Sequence, residues 1–330
     1  MGIFLVKRSF TPAAEGAKAD YLRLQKIAQE KVGMIGEFTT KDFDPMKFLT
    51  TWNFNDLPPD ERRKYYKEST LPDGRTLREY WIYTVDKEIE IAPGVFFPAW
   101  TYNGQVPAPT IRATEGDLIR IHFQNLGTKP HTMHFHGFHP IEMDGALPHQ
   151  FVYPGETFVY EFDAEPFGVH LFHCHSVPIS QHISKGLYGA YIVDPKHDTR
   201  PKPDKELIMV MNGFDTNFDE ANEFYAVNTA AFYYAKNPIK VKVGELIRIY
   251  LINILEFDQI NSFHLHAQFF HEYQTGTRLT PDFYTDITVM GQAERSILDI
   301  RFKFSGKIMF HAHKTEFAEQ GWMGFFEVHE

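Results

Sequence analysis

The chain has 330 residues, a net charge of −10 at pH 7, 43% apolar residues and a single cysteine. An acidic balance argues against non-specific nucleic-acid binding, one thiol excludes an internal disulfide, and no segment carries the ~20 apolar residues of a membrane-spanning helix. The length accommodates two domains plus an extension, and 31 phenylalanines supply ample core.

Residues 1–79 read as an N-terminal extension, partly helical, without ligand-like motifs. AAEGAKADYLRLQKIAQEKVG carries helix formers with an apolar stripe at Tyr21, Leu22, Leu24 and Ile27. LPPDERRKYYKEST places Pro at a helix start among charged neighbours. This region is expected to be an arm packed on the first domain or on a neighbouring subunit. MGIFLVKRSF puts its charges after its apolar residues, the wrong order for a secretion signal.

From residue 80 the chain is strand-rich and doubled. GDLIRIHF, TFVYEF and GAYIVD are rich in β-branched and aromatic residues, and turn signals such as TEGD and YPGE separate them. TEGDLIRIHFQN (residues 114–125) matches KVGELIRIYLIN (residues 242–253) at the glycine, the acidic residue, the LIRI core and the final Asn. Repeats this long mean two copies of one domain, expected at 80–200 and 201–330, each a β-sandwich.

Histidines follow the same repeat. His-x-His pairs occur at His134/His136, His173/His175, His264/His266 and His311/His313. At period two both members of a pair face one side of a strand. Four such pairs, each flanked by Phe, Met or Leu, do not read as surface or as ordinary core. The lone Cys174 lies between His173 and His175, so on a strand it points away from them. A thiolate on one face and two imidazoles on the other predict two metal sites joined by a short covalent path, and copper takes both ligand types.

These motifs resemble those of two-domain multicopper oxidases, the small laccase-like proteins related to copper nitrite reductase. The resemblance spans residues 80–330 and rests on HTMHFHG, on HCH followed by HISKGLYGA, and on HAHKTEFAEQGWMGFFEV. It implies an all-β fold of two tandem cupredoxin-like Greek-key sandwiches and four coppers per chain: one type 1, one type 2 and two type 3. It implies His131, Cys174 and His182 as type 1 ligands with Leu187 at the axial position. His134 and His264 would bind type 2 copper, and His136, His173, His175, His266, His311 and His313 the type 3 pair. His182 and the following Gly186 each lie three residues further from Cys174 than in most of the family, which one insertion within 176–181 explains. In the second copy Asn261, Ala312, Phe317 and Trp322 replace His131, Cys174, His182 and Leu187, so that copy keeps only its cluster histidines.

The implied reaction passes single electrons from a reductant through Cys174 to the cluster, where dioxygen becomes water. His182, near the surface in relatives, would be the entry point. Leu187 cannot donate to copper, so a relatively high type 1 potential is expected. Asp144, Glu316 and Glu319 are candidates for proton delivery, and His139 or His170 for orienting a ligand. The reductant could be a phenol, an aromatic amine, a metal ion or a redox protein. The resemblance also implies a homotrimer with clusters between subunits, and a periplasmic or secreted location. Nitrite reductases have an Asp where this chain has His134. Such an enzyme, a non-catalytic copper or electron carrier, and a cupredoxin with empty sites are the alternatives.

Overall fold

The computed structural model describes residues 37–39, 43–51 and 64–330. The helix read from residues 13–33 lies outside these. Nearly half of the chain is strand, arranged as two sandwiches of related plan.

In the first sandwich one sheet holds β1 (Tyr66–Thr70), β2 (Thr76–Ala92), β3 (Val95–Tyr102), β5 (Leu118–Asn125) and β7 (Thr157–Asp163). The other holds β4 (Ala108–Thr114), β9 (Tyr188–Asp194), β8 (Gly168–His173) and β6 (His134–Phe135), in that order. The second sandwich has one sheet in the order β11 (Phe224–Val227), β10 (Lys205–Phe214), β13 (Leu246–Asn253), β18 (Arg295–Arg301), β15 (Phe270–Gln274) and β16 (Phe283–Thr285). Its partner sheet runs β12 (Ile239–Lys242), β20 (Met323–His329), β19 (Gly306–His311), β14 (Ile260–Leu265) and β17 (Ile287–Gly291).

The duplicated motif forms equivalent strands. β5 lies parallel to β2 and antiparallel to β7; β13 lies parallel to β10 and antiparallel to β18. The glycines of TEGD and KVGE, Gly116 at φ +88° and Gly244 at φ +82°, occupy the left-handed conformation that their shared turn requires. Burial then separates the copies. β5 buries Ile119, Ile121 and Phe123 and leaves Gln124 exposed. Every residue of β13 is buried, because Ile247, Ile249 and Leu251 pack into its own sandwich while Tyr250 and Ile252 pack against the first. Arg248, trapped in that strand, is paired bidentately with Asp299 at 2.7 Å through both nitrogens, as a buried charge must be.

That interdomain layer joins Phe97, Val169, Leu171 and Tyr188 to Ile208, Val210, Phe214 and Ile297. Each such side chain, fully buried, contributes about 1.5–3 kcal/mol. Arg112 adds a bridge, bonding Asp194 of the first sandwich and Glu206 of the second at 2.7 and 2.9 Å.

Two expectations for the extension change. YKEST is strand β1, not a helix; Tyr66 pairs with Tyr80 in register and the rings stand 5.1 Å apart. Lys64 and Tyr65, directly before this strand, are helical, and the helix start expected at Pro58 and Pro59 lies outside the described residues. Strands of the first sandwich therefore begin at Tyr66, ahead of residue 80. The helix Pro45–Thr51 inserts Leu49 into the second sandwich's core and Phe48 into the interdomain layer, so the arm grips both domains rather than the first alone.

Candidate metal centres

Three elements deliver the first site. His131 forms an isolated bridge with Val152, Cys174 follows β8, and His182 lies on the helix Ile179–Ser184. The Cys174 Sγ stands 3.1 Å from His182 Nδ1 and 3.9 Å from His131 Nδ1, and the two nitrogens are 3.2 Å apart. All three residues are buried. Burial pushes the Cys174 thiol up. It pushes His131 down to about 3, with His182 adding to the effect, and His182 down to about 4. Neutral imidazoles with inward-facing Nδ1 atoms are the form that binds metal. The buried His131 Nε2 has no partner, while its Nδ1 is the ring nitrogen turned toward Cys174 and His182. Two imidazoles and one thiolate, closely grouped and shielded from water, fit copper. Leu187 is buried in the same cluster as Cys174. Trp100 lies against both rings, 4.8 Å from His182 and 5.5 Å from His131.

Backbone bonds establish how the second copy corresponds. The Cys174 N–H donates to Leu187 O and the Leu187 N–H to His182 O. Ala312 N–H likewise donates to Trp322 O, and Trp322 N–H to Phe317 O. His175 N–H donates to Thr132 Oγ1 and His313 N–H to Ser262 Oγ. These bonds set Cys174, His182 and Leu187 opposite Ala312, Phe317 and Trp322, with three more residues between the first two positions in the first copy. In the second copy the Trp322 indole fills the position and donates to Asn261 Oδ1 at 3.1 Å.

The four His-x-His pairs form two mirrored half-sites. In the first, His136 Nε2 and His173 Nε2 approach to 3.3 Å; in the second, His266 Nε2 and His311 Nε2 approach to 3.0 Å. His134 lies 5.1–5.3 Å by ring centroid from His136, His173 and His175. His264 stands 5.0–5.4 Å from His266, His311 and His313. The register explains this: His134 pairs with His173 between β6 and β8, and His264 with His311 between β14 and β19.

Carbonyl groups fix the rings. Nδ1 of His134, His173, His264 and His311 lies 2.6–3.0 Å from the carbonyls of Asp144, Cys174, Asp286 and Ala312. A carbonyl only accepts, so Nδ1 carries the proton and Nε2 is left as the metal donor. Burial lowers His136 to about 3 and His173 to about 4, and lowers His134, His266 and His311 as well. Among the described residues, no metal-ligand group combines histidines of both sandwiches. His266 is exposed.

Asp144 reaches the first half-site, its Oδ1 3.2 Å from His134 Nδ1. Glu316 follows the second half-site; its side chain is 60% exposed and its ion partner is Lys314 at 3.6 Å. The helix Thr315–Glu319 turns it outward while burying Phe317 and Ala318. His139 donates to Phe135 O at 2.9 Å and lies 3.7 Å from Asp144 Oδ1. His170 bonds the Pro166 carbonyl at 2.8 Å.

Three residues escaped the sequence reading. Asp286 is the second copy's counterpart of Asp144, but lies at a different distance along the chain. Glu256, on the second sandwich, faces His136 and His173 of the first across a cavity of about 330 Å³ that Ile179, Ile183 and Gln292 also line. Burial raises its carboxyl to about 7, although Gln292 donates a hydrogen bond to it. Trp100 precedes the motifs by thirty residues. None has a local pattern; each is brought in by tertiary packing.

Family comparison agrees with this geometry. Residues 85–198 and 199–330 each match a family described as multicopper oxidase. A crystal structure of a multicopper oxidase is 55% identical, with a TM-score of 0.81 over 87% of this chain and 97% of that one. Blue copper oxidase from Nitrosomonas europaea is 28% identical, with a TM-score of 0.69 over 76% and 85% of the two chains. The copper-containing nitrite reductase of Neisseria meningitidis serogroup A is 32% identical over 216 residues, 59% of this chain and 55% of the relative. The chain thus spans about half the length of that curated relative.

Proposed function

This chain belongs to the multicopper oxidase family, and on that premise we propose a laccase-like oxidase that couples one-electron oxidation of a reductant to reduction of dioxygen to water. The observation that carries this reading is the mirrored pair of half-sites, with Nε2 atoms converging at 3.3 and 3.0 Å. A single-copper centre needs no such duplication.

His131, Cys174 and His182, beside Leu187, would hold the type 1 copper, and the eight paired histidines one type 2 and two type 3 coppers. Bound there, copper supplies one-electron transfer and dioxygen reduction. The chain's own part is orientation and shielding. Carbonyls lock four imidazoles with Nε2 inward, and the backbone ties Cys174 directly to His173 and His175. Asp144 steadies His134, and Glu256 holds a proton near neutral pH beside His136 and His173.

Each half-site needs a complement, and the halves are taken to meet between neighbouring chains in a closed homotrimer. Exposed apolar side chains favour burial of these faces: Phe138 and Ile141 follow the first half-site, Phe269 and Val289 flank the second. A periplasmic or secreted location is proposed by analogy with the family. No helix among the described residues is long and apolar enough to cross a membrane.

Nitrite reduction is the second reading, supported by the Neisseria relative; His134, in place of the Asp of nitrite reductases, opposes it. Copper-loaded protein should be given one reductant with dioxygen or with nitrite. Oxygen uptake without nitrite loss is expected; nitrite consumption without oxygen uptake would reverse the assignment.

A further inference from the structure

We propose that Trp100, rather than the edge of His182, is the point where electrons enter the type 1 site. The inference rests on the copper-oxidase reading above. His131, Cys174 and Leu187 are fully buried and His182 is 3% exposed, so a reductant in solvent has almost no access to the donor groups. Trp100 is partly exposed and, among the described residues, its ring is the only non-histidine ring in contact with both imidazoles. Its conjugated ring bridges the gap between solvent and His182, along which electron transfer would otherwise fall steeply with distance.

The backbone holds that contact rigidly. The Trp100 N–H donates to the carbonyl of Lys185, the residue closing the helix that carries His182, at 2.9 Å. Gly186 follows at φ +113°, and a Cβ there would lie 3.0 Å from the Trp100 carbonyl oxygen and 2.5 Å from Val106 Cγ2. Only glycine lets β3 come this close to the ligand loop.

Asp86 gives the entry point a charge. It lies directly opposite Trp100 in the β2–β3 register, is exposed, and accepts hydrogen bonds from Thr128. Opposed residues share a sheet face. Small cationic or neutral one-electron donors are therefore favoured over anionic ones, and salt weakens the preference. In the step itself the donor loses one electron and cupric copper becomes cuprous; no bond forms or breaks and the indole is unchanged.

The test is a half-reaction that needs neither oxygen nor turnover: anaerobic bleaching of the thiolate-to-copper absorption band in stopped flow. Trp100→Leu should keep the band and bleach at least tenfold more slowly, and Trp100→Phe should recover most of the rate. Asp86→Lys should change the ratio of rates with hexaammineruthenium(II) and hexacyanoferrate(II) at least tenfold at low ionic strength. If Trp100→Leu loses the band, the Asp86→Lys ratio decides. Bleaching within twofold of the native rate in a band-retaining Trp100→Leu, or a ratio within twofold of the native value in Asp86→Lys, overturns the proposal. A native chain that binds copper without showing the band sinks the oxidase reading beneath it, and the proposal with it.

Discussion

Cys174 receives the Thr132 backbone N–H at 3.3 Å and sees no solvent, so Cys174→Ser is expected to fold, to lack the thiolate-to-copper band and to lose oxidase turnover. Visible absorption of the copper-loaded variant checks this; a surviving band would remove Cys174 from the site. Asp144 acts on His134 through its carboxylate as well as its carbonyl. Asp144→Ala leaves the carbonyl bond and should lower metal affinity or activity about tenfold, the lower end of the usual effect of such a partner; isothermal titration with copper measures it. Glu256 tests burial through pH. Its folded value, about 7, lies above the ordinary 4.5, so its contribution to stability is present below pH 4.5 and is lost as pH rises through 7. In the copper-free chain, Glu256→Gln should therefore gain in Tm over the native protein as pH rises from 4.5 through 7. A flat difference would mean that the carboxyl is not shielded from water.

The duplicated strands explain what the sequence discloses and what it conceals. β5 and β13 share their LIRI core, and the repeat places equivalent strands and histidine pairs in the two sandwiches. Period-two spacing sufficed because strand register alone brings His134 to His173 and His264 to His311. The helix that ends at Tyr65 gives way to strand at Tyr66 because an edge strand takes its order from its neighbour, here Tyr80. Where the first copy has His182 and Leu187, the second has aromatic packing. Trp322 and Phe317 are fully buried and Phe317 stacks on Tyr225 at 3.8 Å. Trp322→Ala should destabilise the chain by about 3–5 kcal/mol while leaving the type 1 band intact. Urea unfolding measures the first and visible absorption the second; loss of the band would mean that the two sandwiches do not hold their sites independently.

At the scale of the molecule, the interdomain layer and the Arg112 bridge hold the two sandwiches together, while each sandwich keeps its own half-site. Glu256 has no local sequence pattern for this reason: it lines one cavity with histidines of the other sandwich, and only the packed pair brings them together. The same arrangement leaves His266 exposed, so His266→Ala should keep the type 1 band and abolish dioxygen reduction. The most direct measurement is copper per chain on the assembled protein, read with EPR and sedimentation. The account predicts trimers with about four coppers per chain, of which the type 1 and type 2 ions give separate signals and the type 3 pair is silent. A copper-loaded, active monomer, or about two coppers per chain that are both visible by EPR, would contradict it.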